Sequence, residues 1–155
     1  KAINITTSNG HYVIETISDL KSYLNTEFVI GGSASLVMYG LIDREIHDID
    51  VFCYSNEKLL DKFECSDLRK NQQFEYRQSL IKDLRVDLFL IQNGSIRYFD
   101  FNWNGLSVKL MNPYHTFHAK TLSYNKKHLQ DLDSVRKVKD LSLGEELILC
   151  NSRRS

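Results

Sequence analysis

Three aspartates occupy positions where strands normally carry apolar or β-branched residues. They are Asp48 and Asp50 in Asp48-Ile49-Asp50-Val51, and Asp87 in Val86-Asp87-Leu88. The two-residue spacing puts the carboxylates of Asp48 and Asp50 on one face of one strand, and Asp87 joins them if its strand lies alongside. Like charges gathered this closely repel and raise one another's pKa unless a cation sits among them. Oxygen-only ligands favour magnesium, which takes one or two protein carboxylates together with waters and phosphate oxygens. Two such ions about 4 Å apart are the usual arrangement for phosphoryl and nucleotidyl transfer. The bland alternative is a strand edge with solvated carboxylates. Upstream, Gly31-Gly32-Ser33 offers the complementary half. Glycines let a phosphate approach the backbone, and the N–H groups opening a following helix favour an anion, although many strand-to-helix turns use glycine for steric reasons alone.

The elements that must position these residues are legible from periodicity. From Tyr12 to Leu24 the apolar residues Val13, Ile14, Ile17, Leu20, Tyr23 and Leu24 recur at helical intervals. Glu27 to Ile30 reads as a short strand ended by Gly31-Gly32, after which Ser33 can cap a helix reaching Gly40. Asp48 to Tyr54 alternates, with Ile49, Val51 and Cys53 on one face and Asp48, Asp50 and Phe52 on the other. A helix over Asn56 to Cys65 follows, then strands over Phe74 to Gln78 and Leu84 to Gln92. In the second of these, Arg85, Asp87 and Phe89 share a face. Ser95 to Phe101 and Leu106 to Met111 are two more strands around an Asn102 to Gly105 turn, and helices near Tyr114 to Leu122 and Lys127 to Lys137 close the domain.

Composition bounds what such a site could serve. The chain has 155 residues, room for one domain, and its 42% hydrophobic content with eight Tyr, eight Phe and one Trp suffices for a core. Twenty Lys plus Arg balance twenty Asp plus Glu, which excludes a protein that coats nucleic acid with a general positive field. Its apolar stretches fall well below the ~20 residues of a membrane helix, and no charged-then-apolar leader opens the sequence, so the expectation is a soluble, cytoplasmic protein with no membrane partner. Cys53, Cys65 and Cys150 are odd in number and widely spaced, as expected of reduced thiols, with Cys53 a small apolar strand residue.

The three acidic positions and the glycine turn together carry a resemblance. Phe28-Val29-Ile30-Gly31-Gly32-Ser33, Asp48-Ile49-Asp50-Val51 and Val86-Asp87-Leu88 resemble the nucleotidyltransferase fold of the DNA polymerase β type. That superfamily carries an apolar-Gly-Gly/Ser turn, an Asp-x-Asp strand and a third acidic residue on a neighbouring strand. The stretch Gly31 through Asp50, with Tyr39-Gly40 and Arg44 between, is similar to abortive-infection type toxin nucleotidyltransferases and to small antibiotic nucleotidyltransferases. Val108-Lys109-Leu110, Pro113, Lys120, Lys127-His128 and Asp131-Leu132 resemble the toxin-group ending, with a departure at His128. The interval from Ser33 to Asp48 is also longer than in the minimal antitoxin members.

The resemblance implies an α/β (α+β) fold: a mixed, twisted sheet flanked by helices mainly on one face, with the carboxylates at its open edge. It implies a catalytic core over 1–111 and a short helical C-terminal extension over 112–155 of the same domain. Asp48 and Asp50 would hold two magnesium ions, and Asp87 would complete the metal site and act as base toward an incoming hydroxyl. Gly31, Gly32 and Ser33 would hold the triphosphate, while Arg44 and Lys120 would neutralise phosphate charge. Arg44 could instead pair with Asp43 or Glu45, and Lys120 could be an ordinary exposed lysine. The implied activity is magnesium-dependent transfer of a nucleoside monophosphate from a nucleoside triphosphate to a hydroxyl, with release of pyrophosphate. An RNA or tRNA end or a protein is the expected acceptor ahead of a small molecule, in keeping with a toxin–antitoxin role. The alternative is a catalytically inactive module of the same fold that binds a nucleotide or a partner.

Overall fold

A computed structural model describes residues 2–3, 10–24, 27–42, 44–54, 62–70, 74–91, 96–103, 105–113 and 115–116. The described elements are strand β1 (Ala2–Ile3), helix α1 (Gly10–Tyr23), strand β2 (Phe28–Gly31), helix α2 (Gly32–Met38), strand β3 (Asp48–Cys53) and the short strand β4 (Arg69–Lys70). Four longer strands follow: β5 (Glu75–Ile81), β6 (Leu84–Leu90), β7 (Tyr98–Trp103) and β8 (Leu106–Met111). They form one mixed sheet in the order β1-β7-β8-β2-β3-β6-β5-β4.

Alternation sorts the strand residues between two faces. Ile30, Ile49, Val51, Val86, Leu88 and Leu110 turn to one face and pack in a single core with Val13, Ile17 and Leu20 of α1 and with Ala34, Leu36, Val37 and Met38 of α2. Each fully buried aliphatic side chain contributes roughly 1.5–3 kcal/mol. That explains why the α1 stripe, at steps of three and four residues, determines how the helix lies. Tyr39, just past α2, is buried among them and donates its hydroxyl to the carbonyls of Leu110 and Met111 at 3.1 and 2.9 Å, tying the helix end to β8. On the opposite face Val29, Phe52, Ile91 and Met111 form a smaller cluster with Phe74 and Phe89. There the rings of Phe52 and Phe89 stack with centroids 4.9 Å apart.

The structure shifts several boundaries. Helix α2 starts at Gly32, with Gly31 as its cap and no side-chain cap hydrogen bond, so Ser33 lies inside the helix. The cause is φ of +62° at Gly32, which turns the chain out of β2 in one residue. Strand β5 runs on to Ile81, because Ile81 pairs with Leu84 and only Lys82 and Asp83 close the hairpin, both at positive φ as a primed turn requires. Strand β7 likewise continues to Trp103, opposite Leu106. Cys65 is no helix end: it bridges to Ser79, beside a Ser66 N–H bonded to the Gln78 carbonyl at 2.8 Å. The rest of the helix expected from Asn56 lies largely outside the described residues, as do the two C-terminal helices. No described helix is long and apolar enough to cross a membrane.

Candidate active site

The three aspartates meet by register. Strand β3 pairs in parallel with β6, placing Asp48 opposite Arg85 and Asp50 opposite Asp87. Side chains directly opposite on one face lie within reach of each other. One ligand oxygen from each of Asp48, Asp50 and Asp87 lies within 4.8 Å of the others, a donor set able to hold a metal ion. The sheet order corrects one expectation: β3 and β6 are interior strands, with β5 and β4 beyond them, so the carboxylates lie on a central face rather than at an open edge.

Strand β2 brings in the glycine turn. It runs antiparallel to β3 with Gly31 opposite Asp50, so the chain leaves the sheet directly beside that carboxylate. A Cβ on Gly32 would run into the Asp50 carboxylate, and φ of +62° disfavours any side chain there. A Cβ on Gly31 would stand 2.8 Å from Cε2 of Phe52 and 3.0 Å from Cε of Met111. Gly32 is therefore demanded by its backbone and its approach to the carboxylate, whereas a side chain at Gly31 would have to displace the Phe52 ring and the end of Met111.

The three carboxylates differ in surroundings. Asp87 is only 7% exposed, whereas Asp48 and Asp50 are partly exposed. Burial pushes the Asp87 carboxyl above its ordinary range, more than the neighbouring Arg85 charge and the hydrogen bond from Gln78 pull it down. Its Oδ1 is buried and accepts no hydrogen bond. A buried oxygen left this way is costly, and a cation at the triad would satisfy it. Two further residues border the triad. Arg85 donates from Nη2 to Asp48 Oδ2 at 2.8 Å and lies with Nε 3.5 Å from Asp87 Oδ1. Gln78, opposite Asp87 on β5, also accepts a bond at 2.7 Å from Arg69. Arg85 was detectable in the sequence, two residues before Asp87 on the same strand face; Gln78 left no such signal.

Ser33 lies partly buried in the first turn of α2, beside the triad-facing Gly32. Arg44 lies between α2 and β3, and its guanidinium donates to the Glu45 carbonyl at 3.4 Å. Lys120 lies outside the described residues.

The strand order sets a glycine turn opposite an Asp-x-Asp strand and a third aspartate on the parallel neighbour of that strand. No protein-family model and no curated protein matches the sequence. Among solved structures, the chain is similar to the lincosamide antibiotic adenylyltransferase LnuA with lincomycin bound. The TM-score is 0.61 at 12% identity, over 81% of this chain and 96% of that one. It is also similar to the antibiotic-resistance factor ANT(2'')-Ia. The solution structure of that factor gives a TM-score of 0.57 at 14% identity, over 92% of this chain and 90% of that one. Its complex with adenylyl-2''-tobramycin gives 0.55 at 13% identity, over 96% of this chain and all of that one. At these identities the likeness is one of fold.

Proposed function

We propose that the protein is a nucleotidyltransferase that moves a nucleoside monophosphate from a nucleoside triphosphate to a hydroxyl group. The observation that carries the reading is the convergence of Asp48, Asp50 and Asp87, within 4.8 Å, beside a glycine turn whose Gly32 cannot bear a side chain. The donor set is all carboxylate oxygen, which suits magnesium, with Asp48, Asp50 and Asp87 as its ligands. Bound there, the metal would supply charge neutralisation at the phosphates and at the attacking and leaving oxygens.

The chain's own residues do the rest. The turn at Gly31, Gly32 and Ser33 receives the triphosphate, because absent side chains let phosphate oxygens reach backbone N–H groups. Arg44 and Lys120 are proposed to add positive charge near it. Asp87, on the strand beside Asp50, is proposed to take the proton of the acceptor hydroxyl. The acceptor oxygen then bonds to the α-phosphorus, the bond from that phosphorus to the bridging oxygen breaks, and pyrophosphate leaves.

The toxin-like ending that pointed toward RNA or protein acceptors falls mostly on residues beyond 116, outside the described ones. The solved neighbours, one with lincomycin bound and one with an adenylylated tobramycin, favour a small hydroxyl-bearing acceptor. The test is incubation with each of the four α-labelled nucleoside triphosphates, magnesium, and separate panels of aminoglycosides, lincosamides and total tRNA. Label transfer that disappears in Asp48→Asn and Asp50→Asn is expected. Transfer unaffected by those changes would refute the site, and nucleotide binding without transfer to any panel would favour a binding module.

A further inference from the structure

The triad already has a cation of its own. Arg85 lies directly opposite Asp48 in the β3–β6 register and two residues before Asp87 on the same face, so strand geometry alone delivers its guanidinium to two of the three carboxylates. Nη2 bonds Asp48 Oδ2 at 2.8 Å, and Nε stands 3.5 Å from the buried Asp87 Oδ1. Only an arginine fork spans two acceptors in this way; a lysine is a point charge. With one side held by carboxylates, the side chain is still 54% exposed, so it can leave its partners without disturbing the core.

Three carboxylates with one guanidinium carry a net charge of about −2, which a single divalent ion balances. A divalent ion at the triad would therefore compete with Arg85 for the carboxylates of Asp48 and Asp87. We propose that Arg85 is a resident counter-ion. It holds the carboxylates together in the metal-free protein and weakens their affinity for a free divalent ion. It is released to pair with phosphate oxygens when the metal arrives with a triphosphate. The inference rests on the proposed metal–triphosphate site and makes Arg85 a positioning and selectivity residue that couples metal uptake to nucleotide uptake.

Manganese binding by the full chain, followed by electron paramagnetic resonance with and without a nonhydrolysable nucleoside triphosphate, tests the coupling independently of turnover. Arg85→Gln is expected to bind manganese alone about tenfold more tightly, the step that about 1.4 kcal/mol of lost competition gives. The enhancement by triphosphate should fall by a similar factor. Arg85→Lys, keeping the charge but not the fork, should fall between. Circular dichroism establishes that each variant is folded. Folded Arg85→Gln binding manganese no more tightly than the natural protein would overturn the counter-ion role. If Asp48→Asn and Asp50→Asn also leave manganese binding unchanged, the metal site itself fails; if they abolish it, only the role of Arg85 fails.

Discussion

Asp87→Asn separates the stability cost of the triad from its use. Two carboxylates 4.8 Å apart, the outer limit for the ligand atoms here, repel by about 3.5 kcal/mol at an effective dielectric of about 20. Burial of Asp87 is the larger part of the penalty, and it is opposed by the attraction to Arg85 Nε at 3.5 Å, weakened by the half-exposed guanidinium, and by the hydrogen bond from Gln78. Replacing the carboxylate by an isosteric amide should therefore stabilise the metal-free protein by about 1–2 kcal/mol, raising Tm by about 5 °C at pH 7 in EDTA. The sign follows from the direction of the shift. The folded protein holds the Asp87 proton more tightly than the unfolded chain, so the penalty is complete above the raised folded value. It disappears as pH falls toward the ordinary 3.8. The advantage of the variant should shrink across that acid window. Added manganese should raise Tm of the natural protein and leave Asp87→Asn nearly unmoved. Differential scanning calorimetry in EDTA and in manganese measures both effects. A variant that melts lower than the natural protein at pH 7 in EDTA would make Asp87 a net stabiliser and exclude the penalty.

Two other substitutions probe the frame around the triad. Gly32→Ala forces a side chain into left-handed backbone and against Asp50, so urea unfolding should show a loss of about 2–4 kcal/mol together with weakened manganese binding. Tyr39→Phe removes a hydroxyl that bonds two β8 carbonyls on the helix-covered face, and should lower unfolding free energy by about 1 kcal/mol while leaving manganese affinity unchanged.

Local features of this site are written in the sequence and long-range ones are not. Alternation is a property of the strand itself, so the shared face of Asp48, Asp50 and Phe52, and that of Arg85, Asp87 and Phe89, follow from spacing alone. The α1 stripe of Val13, Ile17 and Leu20 is local in the same way. The pairing of Asp50 with Asp87 joins residues far apart in the chain, and nothing near either one specifies it. For the same reason the carboxylates were expected at a sheet edge: the hairpin of β5 onto β6 and the short β4 beyond them move β3 and β6 inward. Ser33 has the chemistry of a helix cap, but the positive φ of Gly32 starts the helix earlier, a backbone choice that residue type alone does not reveal. Arg85 shows the converse case. Its position two residues before Asp87 was plain, and only the parallel register with Asp48 gives that position a meaning.

As proposed, the triad and the glycine turn form one metal–triphosphate site. Anomalous diffraction from crystals soaked with manganese and a nonhydrolysable nucleoside triphosphate tests it most directly. Manganese is expected among the carboxylates of Asp48, Asp50 and Asp87, with phosphate oxygens against the backbone of Gly31, Gly32 and Ser33. Triphosphate bound elsewhere, with no anomalous signal among the three carboxylates, would contradict it.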